Sequence, residues 1–190
     1  MPRPFKVGAA SLAVAALLLG AVGMTMAFQP GPAYLAVQSY TASAQGQNAV
    51  KLSASTNADI PKLTDAFIAA QLIVGIAWAD LDSGTAVVAT IHPVLGRDSH
   101  QRPDAWHVHT VQLTGGATAP NDFCLVSVSS TPNAGIQIQG SKLSLVLSRW
   151  EMPIVGNAPL TADDIDASVG FTVHPGDTAC ATGLGVRVRN

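Results

Sequence analysis

Between Lys142 and Arg149, Leu143, Leu145 and Leu147 alternate with Ser144 and Ser148. Side chains of a β-strand alternate between its two faces, so this spacing gives a strand one apolar side, and a helix of the same sequence would scatter the leucines around its surface. The pattern recurs. Ile136 and Ile138 oppose Gln137 and Gln139, and Leu184, Val186 and Val188 oppose Arg187 and Arg189. Cys124, Val126 and Val128 likewise oppose Ser127 and Ser129. Short strands of period two, separated by turns, predict an all-β protein, and we expect a single antiparallel β-sandwich of immunoglobulin-like or superoxide-dismutase-like form.

The rest of the chain fits that class. Tyr34–Thr41 and Val50–Ala54 read as strands around the polar turn Ala44–Asn48, and Asn57–Lys62 reads as a connection. Residues 28–62 are therefore expected to form a strand pair or an arm, and residues 63–190 the sandwich. The apolar run Phe67–Trp78 is compatible with a helix, but the turn Asp80–Gly84 and the strand-like Ala86–His92 favour a hairpin. Thr161-Ala-Asp-Asp164 is the one expected helix start, since a hydroxyl and a carboxylate there can satisfy free N–H groups.

The first 27 residues read as an address. Arg3 and Lys6 precede Val7–Ala27, which is free of charge and ends in Thr25-Met26-Ala27, small residues at a cleavage position before Phe28. The block is near the roughly 20 residues that span a bilayer, so residues 1–27 are a signal peptide or an uncleaved anchor, and the membrane is a partner only if they stay attached. Their removal leaves eight basic and twelve acidic residues, a formal charge of −4. No basic patch is present, which argues against nucleic acid. Cys124 and Cys180 are the only cysteines, and in an exported chain such a pair reads as a disulfide, with two metal-binding thiols as the alternative. The expected location is extracytoplasmic, secreted or at the cell surface.

Chemistry concentrates in Asp104–Leu113, reading D-A-W-H-V-H-T-V-Q-L. His107 and His109, two apart on a strand, share one face at about 6–7 Å along it, close enough to converge on one ion. Which face they share is open. If Val111 and Leu113 point to the core, so do the histidines, and their burial then demands partners. If Trp106 and Val108 point inward, the histidines face solvent. His174, at the end of another strand, is the expected third ligand. His92 and His100 are further candidates, His92 alternating with Thr90 and Val88 on an expected solvent face and His100 lying in the polar loop Pro93–Pro103. Three imidazoles and an open position suit Cu(II) or Zn(II).

Other catalytic constellations are weak. There is no G-x-S-x-G elbow, Glu151 is the only glutamate, and Asp163, Asp164 and Asp166 lack the spacing of a calcium loop. The residues favour a binding or structural protein over an enzyme. A cell-surface or filament subunit is the alternative to metal binding, with the N-terminal third adding a strand to copies of itself or to other surface proteins.

The strand W-H-V-H resembles the H-V-H strand of the copper–zinc superoxide dismutases, and Gly170-Phe-Thr-Val-His174 is similar to the later strand that supplies that family another copper ligand. Cys180, ten residues from the C-terminus, is placed like the family's C-terminal disulfide cysteine. The resemblance implies His107, His109 and His174 as copper ligands and a Cys124–Cys180 disulfide. Thr110–Val173 contains no histidine, so the family's bridging ligand and zinc site have no counterpart, nor does its arginine near the last cysteine.

Overall fold

A computed structural model describes residues 31–62, 70, 72–93, 105–115, 122–130 and 132–189. The expected export segment, residues 67–69 and 71 of the run Phe67–Trp78, and the loop carrying His100 lie outside the described residues. The chain is all-β, with twelve strands and three single-turn 3-10 segments among the described residues. β1 (Val37–Gln45) and β2 (Ala49–Thr56) form a hairpin turned by Gly46 at φ 63°. β3 (Ile73–Asp80) and β4 (Thr85–Ile91) form a second, β5 (His107–Gly115) and β6 (Asp122–Ser130) a third. β7 (Gly135–Gln139), β8 (Lys142–Ser148) and the two-residue strands β9 (Ile154–Val155) and β10 (Ala158–Pro159) follow. β11 (Ala167–Pro175) and β12 (Leu184–Arg189) complete the chain.

Where a sandwich of two open sheets was expected, six strands close into a barrel in the order β11-β12-β6-β5-β4-β3, and an open sheet β1-β2-β8-β7 lies on its flank. The N-terminal hairpin is part of that sheet: β2 runs antiparallel to β8, from Ala49↔Ser148 to Ser55↔Lys142. Val50, Leu52 and Ala54 of β2 and Leu143, Leu145 and Leu147 of β8 pack on Ile76, Trp78, Val87, Ala89 and Val108 of the barrel wall. The leucine alternation thus fills the layer between sheet and barrel. Trp78 is fully buried there, its indole N–H donating to Ser53 O at 3.3 Å.

The opposite faces of β3, β4 and β5 point into the barrel. Ala77, Ala86, Val88, Val111, Phe171 and Val186 form this second apolar cluster. The central strands are therefore covered on both sides, which explains why β3 and β4 read as near-continuous apolar runs. On β6 the alternation breaks down. Its register against β5 shifts twice, between Thr110 and Val111 and between Gln112 and Leu113. Cys124 is buried, but Val126 and Val128 are about half exposed. Thr161 begins only a single 3-10 turn, Ala162–Asp164, its N–H and hydroxyl both donating to Asp164 Oδ2 at 2.7 Å. Those bonds hold the Asp164 carboxyl below its usual range.

Gly75 shows how tightly one wall is built. A Cβ there would meet Ala89 O and lie 2.6 Å from Phe171 Cζ. We expect Gly75→Ala to cost about 1–3 kcal/mol through overpacking, seen as a lower melting temperature. An unchanged melt would show that Phe171 has room to move.

Candidate metal centre

Register brings the histidines together. β4 and β5 pair antiparallel with Thr90 opposite His107 and Val88 opposite His109. On β5, His107 and His109 share the face of Val111, which is the barrel interior. Val88 and Thr90 line the same cavity as His109, so His92, the next residue in that alternation, turns inward as well. The expectation of a solvent face for His92 fails for this reason: it is 5% exposed, His107 7% and His109 4%. For β5 the first alternative holds: the histidines share the inward face of Val111, while Val108 packs from the other face toward the open sheet.

The three rings meet at one end of the barrel. Their nearest ligand atoms all lie within 4.8 Å of one another, and among the described residues no carboxylate or thiol joins them. His92 and His107 meet edge to face with centroids 4.6 Å apart, and His107 and His109 do so at 4.8 Å. Backbone carbonyls orient two of the rings. His92 Nδ1 lies 2.6 Å from Pro93 O and His107 Nδ1 3.0 Å from Ala105 O. A carbonyl can only accept, so each Nδ1 donates to it, and in the neutral ring each Nε2 is then an acceptor. Those two Nε2 atoms are 2.9 Å apart, and His109 Nε2 is 3.4 Å from that of His92.

Two facing lone pairs at that distance repel unless something positive sits between or beside them. A hydrogen bond between them requires a proton on one Nε2, making a buried imidazolium. A cation bound by both lone pairs serves the same end. Two nitrogens held at 2.0–2.1 Å by a tetrahedral ion are about 3.3 Å apart, near the separations present here. Nδ1–H donated to a backbone carbonyl is also the usual outer-sphere bond of a metal-ligating histidine, fixing tautomer and ring direction. The cluster could hold a metal ion.

His174 is not part of it. Phe171 and Val173 of β11 face the cavity, which puts Thr172 and His174 on the outside of the barrel. There His174 Nε2 lies 2.9 Å from Thr172 Oγ1 and 3.4 Å from an Arg189 nitrogen, whose Nε also donates to Thr172 Oγ1. His100 lies outside the described residues. The expected disulfide is present: Cys124 of β6 is bonded to Cys180 in the turn before β12, with Cα atoms 5.3 Å apart.

Comparison with known protein families, with characterised proteins and with solved structures returns no match.

Proposed function

We propose that this is an exported protein that binds copper, or less favourably zinc, through His92, His107 and His109, for carriage of the ion or a surface redox role. The observation that carries the reading is the convergence of three buried imidazoles, their ligand atoms all within 4.8 Å of one another, inside an apolar barrel. Buried imidazole nitrogens are ordinarily satisfied, and an ion shared by the three rings would satisfy all of them at once. Three neutral imidazoles with an open fourth position suit both Zn(II) and Cu(II). The resemblance of W-H-V-H to the dismutase strand makes copper the first ion to try. Export is supported by the charged, then apolar, N-terminus and by the disulfide, a bond that persists in oxidising compartments.

Elemental analysis of protein purified without chelator and reloaded with Cu(II) or Zn(II) tests this. One ion per chain is expected in the wild type, with at least a tenfold loss of affinity in His107→Ala/His109→Ala. The variant His174→Ala is expected to keep its metal, because that ring lies on the other side of the barrel wall. A wild type that retains neither ion would overturn the reading. Loss of metal in His174→Ala alone would move the site to the outer face.

A further inference from the structure

The barrel strands turn an apolar wall inward. Residues that line the interior recur at every second position, as in Val169, Phe171 and Val173 of β11 and Leu184, Val186 and Val188 of β12. That is the spacing of one strand face, so the wall is built by the six strands themselves. Barrels of few strands ordinarily fill their interiors with side chains. Here the inner side of β3 carries Ala77 and Ala79, and a cavity of about 970 Å3 remains. Ile73 and Asp80, the two ends of β3, both line it, so it runs the length of that strand, about 23 Å.

Polar groups on this wall are engaged by the protein itself. Thr90 Oγ1 donates to Val74 O at 2.8 Å. The Asp80 carboxylate accepts from the N–H groups of Asp82 and Ser83 and from the Ser83 hydroxyl. His92 and His109 meet at one end, with their Nε2 atoms 3.4 Å apart. Along the wall, Ala77, Val88, Val111, Phe171 and Val186 present only hydrocarbon. Water finds no hydrogen-bond partner on such side chains, and apolar cavities stay dry and take up apolar molecules. An apolar void also denies its lining dispersion contacts, at a cost that grows with its volume. An apolar occupant restores those contacts. A lumen this long inside six strands is narrow, so a chain fits along it better than a compact body.

We propose that the barrel interior is a binding site for an uncharged hydrocarbon chain, held by its apolar length and independent of any ion on the histidines. The space reaches solvent along β6. β12 is paired with β6 over Asp122, Phe123 and Cys124. Further along β6, Val128, Ser129 and Ser130 line the cavity and are exposed, Val128 by half. This stretch of the wall is where a chain enters.

The test is displacement of the uncharged fluorescent probe Nile red from the full-length protein by hexanol and by decanol, in chelator and with excess zinc. One saturable probe site per chain is expected. Each buried methylene adds to affinity, so decanol is expected to bind at least tenfold more tightly than hexanol, with zinc or without. Ala77→Phe on β3 and Val186→Trp on β12 fill the interior from different strands and are expected to weaken decanol at least tenfold. Both variants keep the apolar N-terminal run, so they control for binding there. A cooperative melt identifies which of them has folded, and the hexanol–decanol ratio of the wild type needs neither. A wild type without a saturable probe site overturns the proposal, and zinc retained in that sample leaves the metal reading standing. Equal affinity for the two alcohols overturns recognition by apolar length. Decanol held equally by a folded, filled variant overturns its placement in the barrel. Decanol bound only with zinc overturns its independence of the ion.

Discussion

Replacing all three cluster histidines by leucine is expected to stabilise the metal-free protein and to make it blind to metal. In the wild type, His92 and His107 bring their Nε2 atoms to 2.9 Å of each other within a buried polar cluster. Exchanging buried polar clusters for apolar groups of similar volume is often neutral or stabilising by about 1–4 kcal/mol. Leucine is close to imidazole in volume, and the neighbouring cavity wall is already apolar. The loaded wild type should reverse the order. An ion present at a thousand times its dissociation constant adds about 4 kcal/mol to the folded state, or about 8–16 °C in melting temperature for a domain of this size. Thermal melts of the wild type and of His92→Leu/His107→Leu/His109→Leu, with chelator and with excess zinc, give the four values needed. A triple variant that is much less stable than the chelated wild type would mean that the imidazoles support the barrel by themselves. A variant that still responds to zinc would place the ion elsewhere.

The same cluster shows where sequence reasoning succeeds and where it stops. Alternation along β8 and β12 announces an all-β chain because one face of each strand meets water and the other a core. β3, β4 and β5 are covered on both faces, so their residues carry no such contrast, and the side chosen by His107 and His109 was undecidable from β5 alone. Barrel closure is equally hidden. It depends on β11 pairing with both β12 and β3, and β3 precedes it by nearly ninety residues. The position of His174 was nearer to hand. Phe171 and Val173 are apolar, Thr172 and His174 polar, and that contrast puts the ring outside if the apolar residues face in. Its place at a strand end, together with a family resemblance, pointed the other way. The place of His92 is set by a register that no local pattern carries: Thr90 opposite His107 brings the residue after β4 over the β5 pair.

Removing the disulfide, by Cys124→Ser/Cys180→Ser, is expected to cost about 4 kcal/mol, the loop-closure entropy for a crosslink of this span, here a separation of 56 residues. The melting temperature should fall by about 8–16 °C. Position makes the loss local as well as global. The bond joins β6 to the turn before β12, alongside the three residue pairs that make up the β6–β12 seam. Every other junction in the barrel has a longer register, so this is where closure is weakest. In the variant, amides of β12 should exchange with solvent faster than those of β3 and β4, which are paired on both sides within the barrel and covered by the open sheet. The metal should remain, because its three ligands come from β5 and the end of β4, and none lies on β6 or β12. Denaturant unfolding gives the first quantity and hydrogen exchange the second. Uniform loss of protection would show that the barrel opens as one unit. A cost below about 1 kcal/mol would show that the reduced, unfolded chain is already held compact between the two cysteines. Faster exchange confined to β12 would show that the barrel opens first at the β6–β12 seam, where the disulfide sits.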